Sequence, residues 1–195
     1  MAPRRPKARP GSRARQVKVV ITGPFGAGTT TLIQTLSEIP VLSTERDVSH
    51  AGERAVKADT TVAMDFGRLT IDPELLLYMF GTPGQRRFDF MWEILAEGML
   101  GFVVLVDGAR EESLAEAEPI LDFFRSSADV PYIVAVNKAD DATAAVAEAR
   151  ERLGLDEHIR CVPVDARARE SVKGVLVELL YAVLDDLEPT EAAAV

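Results

Sequence analysis

Several things are scarce in this chain, and each shortage excludes a class. Cys161 is the one cysteine in 195 residues, so no internal disulfide can form. No apolar run approaches the ~18 residues that a membrane span requires. Arg4-Arg5 is not followed by the apolar segment of an export signal, and neither Ala2 nor the Glu-Ala-Ala-Ala-Val end carries a lipidation signal. A cytoplasmic protein is expected. His50 and His158 are isolated, with no second ligand at metal-site spacing, and surface positions are expected for both. Acidic residues are missing from residues 1–18, which hold seven basic ones (Arg4, Arg5, Lys7, Arg9, Arg13, Arg15, Lys18); all 31 acidic residues lie beyond them. The body of the chain is therefore strongly acidic, which argues against nonspecific nucleic-acid binding by the folded part.

What is present supports one domain. A hydrophobic content of 47% is ample for a single core at this length. Residues 1–15, rich in Pro and Arg, read as a disordered basic tail, either solubilising or able to touch an acidic partner or an anionic membrane surface. Residues 16–188 read as the folded domain and 189–195 as a flexible end.

Within the domain, apolar strands alternate with helical stretches. Val17 to Thr22 is a buried strand, followed by a glycine-rich loop and a helix from Thr29 to Ser37. A long polar segment, Val41 to Asp59, precedes two strands, Val62 to Ile71 and Glu74 to Phe80, joined antiparallel by a turn at Asp72-Pro73. Strands at Met99 to Val106, Tyr132 to Val136 and Ile159 to Val164 are each followed by a helix: Glu111 to Arg125, Ala142 to Arg152 and Ser171 to Asp186. The expected fold is α/β, with helices on both faces of a mostly parallel six-stranded sheet that includes one antiparallel hairpin. Ligands on such sheets bind at the carboxyl ends of the strands. Met91, Trp92, Ile94 and Leu95 suggest a short apolar helix whose first task is core packing, and Cys161 reads as a small core hydrophobe.

The loop Gly23-Pro24-Phe25-Gly26-Ala27-Gly28-Thr29-Thr30 lies between a strand and a helix, where glycines let backbone N–H groups curl around phosphate oxygens. Thr30 is placed to offer a hydroxyl to Mg²⁺. Thr29 stands where the motif has lysine, and losing that charged hydrogen bond would weaken nucleotide binding about 10- to 100-fold. Asn137-Lys138-Ala139-Asp140 follows directly on an apolar strand. The Asp140 carboxylate can accept from N1–H and the 2-amino group of guanine, Asn137 can bond the base edge, and the Lys138 stem can lie over the ring. Asp165-Ala166-Arg167, after the last strand, would turn the Ala166 N–H towards the guanine oxygen.

The order of Gly23–Thr30, Thr61, Gly81–Gln85, Asn137–Asp140 and Asp165–Arg167 resembles the signature loops of Ras-like small GTPases. More narrowly, Gly-Pro-Phe-Gly-Ala-Gly, Val-Ala-Met-Asp-Phe-Gly and Phe-Gly-Thr-Pro-Gly-Gln are similar to phrases of bacterial Mgl-type, conservon-encoded ATP/GTP-binding proteins. The resemblance implies a P-loop NTPase fold, a Ras-like three-layer sandwich, and a GTP/GDP switch with Mg²⁺ and a roadblock-type (roadblock/LC7) protein partner reached through the switch regions. It implies nucleotide contacts from Gly23, Phe25, Gly26, Ala27, Gly28, Thr29, Thr30, Thr31, Gly84, Asn137, Lys138, Asp140, Asp165, Ala166 and Arg167. It also implies Mg²⁺ ligation by Thr30 and Thr61, with Thr60 as competitor, and a water-orienting Gln85. Arg54 is the candidate for an intrinsic arginine that swings into the site, ahead of Arg46, Arg86 and Arg87.

Three positions depart from the pattern. Thr29 replaces the lysine, with Lys57 a candidate substitute. Gly81 stands where most such proteins have a Mg²⁺-linked aspartate. Phe25 puts bulk near the γ phosphate. The expected function is a guanine-nucleotide-binding switch with weak or impaired hydrolysis. The alternative is a pseudo-GTPase interaction module; a P-loop kinase or ATPase is disfavoured by Asn137–Asp140 and the hairpin.

Overall fold

The computed structural model describes residues 14–43, 64–83 and 90–187. Its elements run β1 (Arg15–Thr22), α1 (Thr29–Leu36), β2 (Leu42–Ser43), β3 (Asp65–Asp72), β4 (Leu75–Gly81), α2 (Phe90–Ala96), β5 (Gly101–Asp107), α3 (Glu112–Ser127), β6 (Tyr132–Asn137), α4 (Ala142–Arg152), β7 (Arg160–Val164) and α5 (Arg169–Leu187). The sheet order is β2-β3-β4-β1-β5-β6-β7. Strands β4, β1, β5, β6 and β7 are parallel, and the β2-β3 and β3-β4 pairs are antiparallel. The fold is thus the expected mostly parallel α/β type. It has one more strand than the six expected, because two-residue β2 is too short to leave a periodic signal.

Alternation along the strands builds two cores. Val19, Ile21, Val103, Leu105, Ile133 and Ala135 face α1 and α5. Val20, Phe102, Val104, Val106, Val134 and Val136 face α2, α3 and α4. Both faces are covered, so the central strands read as continuous apolar runs. Met91, Trp92 and Leu95 of α2 are buried, while Ile94 points outward. Strand β1 starts at Arg15, one residue into the stretch expected to be tail, and pairs with Leu75. Lys18 donates to the Glu97 (2.8 Å) and Ile94 (3.3 Å) carbonyls at the end of α2. That use of a basic residue is local helix capping.

The connectivity assembles a single edge. Strands β1, β4, β5, β6 and β7 all end there, and antiparallel β3 begins there, so Thr22, Gly81, Asp107, Asn137, Val164 and Asp65 converge. Among the described residues no helix is long and apolar enough to cross a membrane.

Candidate nucleotide site

The loop from Gly23 to Gly28 closes over the end of β1 and opens α1. Two of its glycines are dictated by space. A Cβ on Gly23 would lie 2.1 Å from the Leu105 carbonyl oxygen, inside any allowed contact. Gly28 has φ 108°, and a Cβ there would meet the Asn137 side-chain nitrogen at 2.6 Å. Helix α1 has no side-chain cap. Its first intrahelical bond is Leu32 N–H to the Gly28 carbonyl, 2.9 Å. The N–H groups of Gly28, Thr29, Thr30 and Thr31 therefore find no acceptor among the described residues, which is the donor array an anion needs.

A cleft of about 340 Å³ lies against this array, lined by Pro24, Phe25, Gly26, Gly28, Thr29, Thr30, Thr31, Asp65, Thr82, Pro83, Lys138 and Arg167. A second, of about 450 Å³, is lined by Gly28, Thr31, Asn137, Lys138, Ala139, Asp140 and Val164–Arg167. They share Gly28, Thr31, Lys138 and Arg167, so they form one trough with a phosphate end and a base end. Phe25 is 61% exposed, its ring largely in solvent, so crowding of the γ position is not its resting arrangement.

The sequence alone did not disclose Asp65. It opens β3, is 8% exposed, and accepts the Thr30 hydroxyl proton at Oδ2, 2.5 Å away. Hard oxygen donors from a hydroxyl and a carboxylate, side by side at the phosphate end, fit Mg²⁺. Gly81, directly opposite in the ladder, leaves the room: a Cβ there would sit 2.9 Å from the Asp65 Cβ. The signal was available in the lone carboxylate within Val-Ala-Met-Asp-Phe. Next to it, the Thr22 and Thr82 hydroxyls share a buried 2.7 Å bond that ties the ends of β1 and β4 together.

At the base end the expected roles divide differently. Asn137 is 4% exposed and each end of its amide makes one bond to backbone. Its nitrogen donates to the Ala27 carbonyl (2.8 Å) and its oxygen accepts the Ala166 N–H (3.2 Å). Asn137 is thus a staple between two loops, using one of its two amide hydrogens and one of its two oxygen lone pairs, and the Ala166 N–H is turned towards it. Lys138 adopts φ 61°, a left-handed conformation costing roughly 1 kcal/mol, to send its ammonium to the Gly26 carbonyl (2.6 Å) and Asp107 Oδ2 (2.7 Å). Its stem is left along the trough. Asp141 caps α4 by accepting from the Thr143 and Ala144 N–H groups, each 3.0 Å. Neighbouring Asp140 is exposed, lines the base end, and has no partner among the described residues. Asp165 Oδ1 accepts the Arg167 N–H at 2.9 Å and sets the turn that carries Arg167 into the trough.

Residues 21–190 match the family described as "Conserved hypothetical ATP binding protein". The chain belongs to that family. It is also 35% identical over 125 residues to an uncharacterized protein, MJ1339, of Methanocaldococcus jannaschii, covering 64% of this chain and 71% of the relative. Nucleotide binding follows from membership. The resemblance to Ras-like and Mgl-type GTPases is overturned by the same match. The motifs that carried it are strand-end devices for holding phosphate and purine, so they speak for the P-loop type of fold and not for one family built on it.

Arg54, Lys57, Thr60, Thr61, Gly84, Gln85, Arg46, Arg86, Arg87 and His50 lie outside the described residues, as do residues 1–13 and 188–195. One unforeseen contact comes from Arg110, whose Nη1 donates to the Phe25 carbonyl (2.8 Å) while Nη2 pairs with Glu116 (3.0 Å). His158 is exposed. Cys161 is half-buried, and burial pushes its thiol up to about 11.

Proposed function

We propose that the chain binds a guanine nucleoside di- or triphosphate with Mg²⁺ and turns it over slowly or not at all. The observation that carries this reading is the unpaired Asp140 carboxylate at the base end of a trough whose other end is an unspent row of helix N–H groups. Guanine offers N1–H and a 2-amino group, two donors in line, to a carboxylate that meets no competing cation among the described residues. Adenine has no donor at either position. The family's description speaks of ATP, so the base is the point at issue.

Each residue has a task in this reading. The N–H groups of Gly28–Thr31 hold phosphate oxygens, and the Lys138 stem and Arg167 flank the base and sugar. Thr30 and Asp65 would hold Mg²⁺, which supplies charge neutralisation on the terminal phosphates. Thr29 brings no positive charge to those phosphates, which is the reason for slow turnover. A binding module without turnover is the companion reading, favoured by that same residue.

The deciding experiment is competition for a fluorescent GDP analogue by GTP and ATP, with and without Mg²⁺. GTP should compete at least about tenfold better than ATP. Equal competition would discard the guanine assignment; no binding of either would discard the site.

A further inference from the structure

Three consecutive carbonyls of the loop between β1 and α1 are each held by a side chain from another loop. Arg110 Nη1 donates to the Phe25 carbonyl (2.8 Å), Lys138 Nζ to the Gly26 carbonyl (2.6 Å) and Asn137 Nδ2 to the Ala27 carbonyl (2.8 Å). No peptide bond among the described residues is cis. In a trans peptide the N–H points opposite to the carbonyl of the same plane, so holding a carbonyl aims the next residue's N–H away from the holder. The Ala27 N–H closes the loop on the Pro24 carbonyl at 3.1 Å, while those of Gly26 and Gly28 have no acceptor among the described residues. Gly26 and Gly28 line the phosphate end of the trough, and buried Ala27 does not.

Of the three holders, Asn137 is buried and Lys138 is anchored to Asp107. Arg110 reaches across 85 positions of sequence to Phe25 from a fixed base. Its N–H donates to the Asp107 carbonyl and its own carbonyl accepts the Ser113 N–H, each at 3.1 Å. Its Nη2 pairs with Glu116 at 3.0 Å, six positions on and so outside the i+3 and i+4 spacing of an ordinary helix-surface pair. Nη1 lies 3.8 Å from where a Gly26 Cβ would be, which puts the guanidinium against the back of the loop. The peptide it holds would otherwise be free to turn. Phe25 leaves its ring largely in solvent, and Gly26, at φ 80°, tolerates either sign of φ.

We infer that Arg110, oriented by Glu116, is a positioning residue for the phosphate farthest from the base, an inference that rests on the nucleotide reading of the trough. It keeps the Phe25 carbonyl out of the trough and aims the Gly26 N–H into it. A turned peptide would present an oxygen to that phosphate instead. The guanidinium also polarises the peptide it holds, which strengthens the N–H as a donor. Gly26 lines only the phosphate end, whereas Gly28 and Thr31 line both ends. A phosphate next to the sugar therefore meets Gly28 and Thr31, and a more distant one meets Gly26. Thr29 brings that distant phosphate no charge from the helix side; Arg110 acts on it from behind the loop, through one peptide.

Dissociation constants of GDP and GMP, read by competition with a fluorescent GDP analogue, test this on the full chain. Arg110→Ala should weaken GDP about tenfold and GMP about twofold at most, so the preference for GDP narrows about fivefold. Arg110→Met keeps the stem and removes the donors, and it should match Arg110→Ala. Arg110→Lys keeps a cationic donor and should bring GDP back to within about threefold of the unaltered chain. Glu116→Gln should cost GDP only about twofold, because the pair is open to solvent. GDP bound by both Arg110→Ala and Arg110→Met as tightly as by the unaltered chain overturns the inference. So does an equal loss of GDP and GMP, which is what a contact that merely supports the fold would give. An unaltered chain that binds neither nucleotide overturns the reading of the trough itself, and the inference with it.

Discussion

Asp65 and Gly81 face each other across the antiparallel β3-β4 pair, and Asp65 Oδ2 lies 3.2 Å from the point a Gly81 Cβ would occupy. The missing side chain on one strand and the carboxylate on the other are thus one feature. The charge that the Gly81 position lacks is delivered from its cross-strand neighbour, onto the Thr30 hydroxyl.

Asp65→Ala should therefore reduce the Mg²⁺ dependence of triphosphate binding about 10- to 100-fold while leaving the fold intact. Gly81→Asp alone should destabilise, since its Cβ would press on Ile33 Cδ1 at 2.8 Å as well as on Asp65. Asp65→Gly with Gly81→Asp should recover part of the Mg²⁺ effect. Binding titrations at varied Mg²⁺ read all three; an unchanged Mg²⁺ response in Asp65→Ala would remove Asp65 from the cation site.

Thr29→Lys restores an ammonium at the mouth of α1. Affinity for triphosphate should rise about 10- to 100-fold, with a faster single-turnover rate. Affinity unchanged by the lysine would mean that the phosphates are not held where the unspent N–H groups point.

Asp140→Asn should cost guanine nucleotides about 10- to 100-fold, since a charged acceptor for two donors becomes a neutral amide. Xanthosine diphosphate carries an oxygen where guanine has its amino group, so it should bind the variant better than the unaltered chain. A variant that binds guanine and xanthine nucleotides as before would show that Asp140 does not touch the base.

Asn137→Ala leaves the Ala27 carbonyl and the Ala166 N–H without partners in a buried place. Stability should fall by about 2–4 kcal/mol, and denaturant unfolding should show it. A loss under about 0.5 kcal/mol would mean that water takes over both bonds.

Burial raises the Cys161 thiol from 9.0 to about 11, so the folded chain keeps a proton that the unfolded chain releases. This contribution to stability is complete below about pH 9 and disappears as pH rises towards 11. Alkylation at pH 8 should be slow in the folded protein and fast in denaturant. Equal rates would place the thiol in solvent.

Much of this was legible in the chain. The apolar strands with alternating faces gave both cores, and α4 begins and ends at Ala142 and Arg152 as its pattern predicts. The turn fell one residue later than expected, at Pro73-Glu74, because Asp72 stays in the ladder with Leu75 and its carboxylate closes the turn on Glu74 N–H at 2.6 Å. The roles of Asn137 and Asp65 were not legible. Their partners are distant along the chain, Ala27 for one and Thr30 for the other, and no local pattern announces a bond between loops. The family was misjudged because motif order reports geometry, and different families share that geometry.

The amide of Asn137 joins the Gly23–Gly28 loop, proposed to hold phosphate, to the Asp165–Arg167 loop, proposed to border the base. Neither can be displaced alone, so a lineage seeking a different nucleotide cannot reshape the purine side without disturbing the grip on the other end. Changes of preference in such a scaffold are cheapest by exchanging a single solvent-facing side chain, and Asp140 is the position where that exchange leaves the framework untouched.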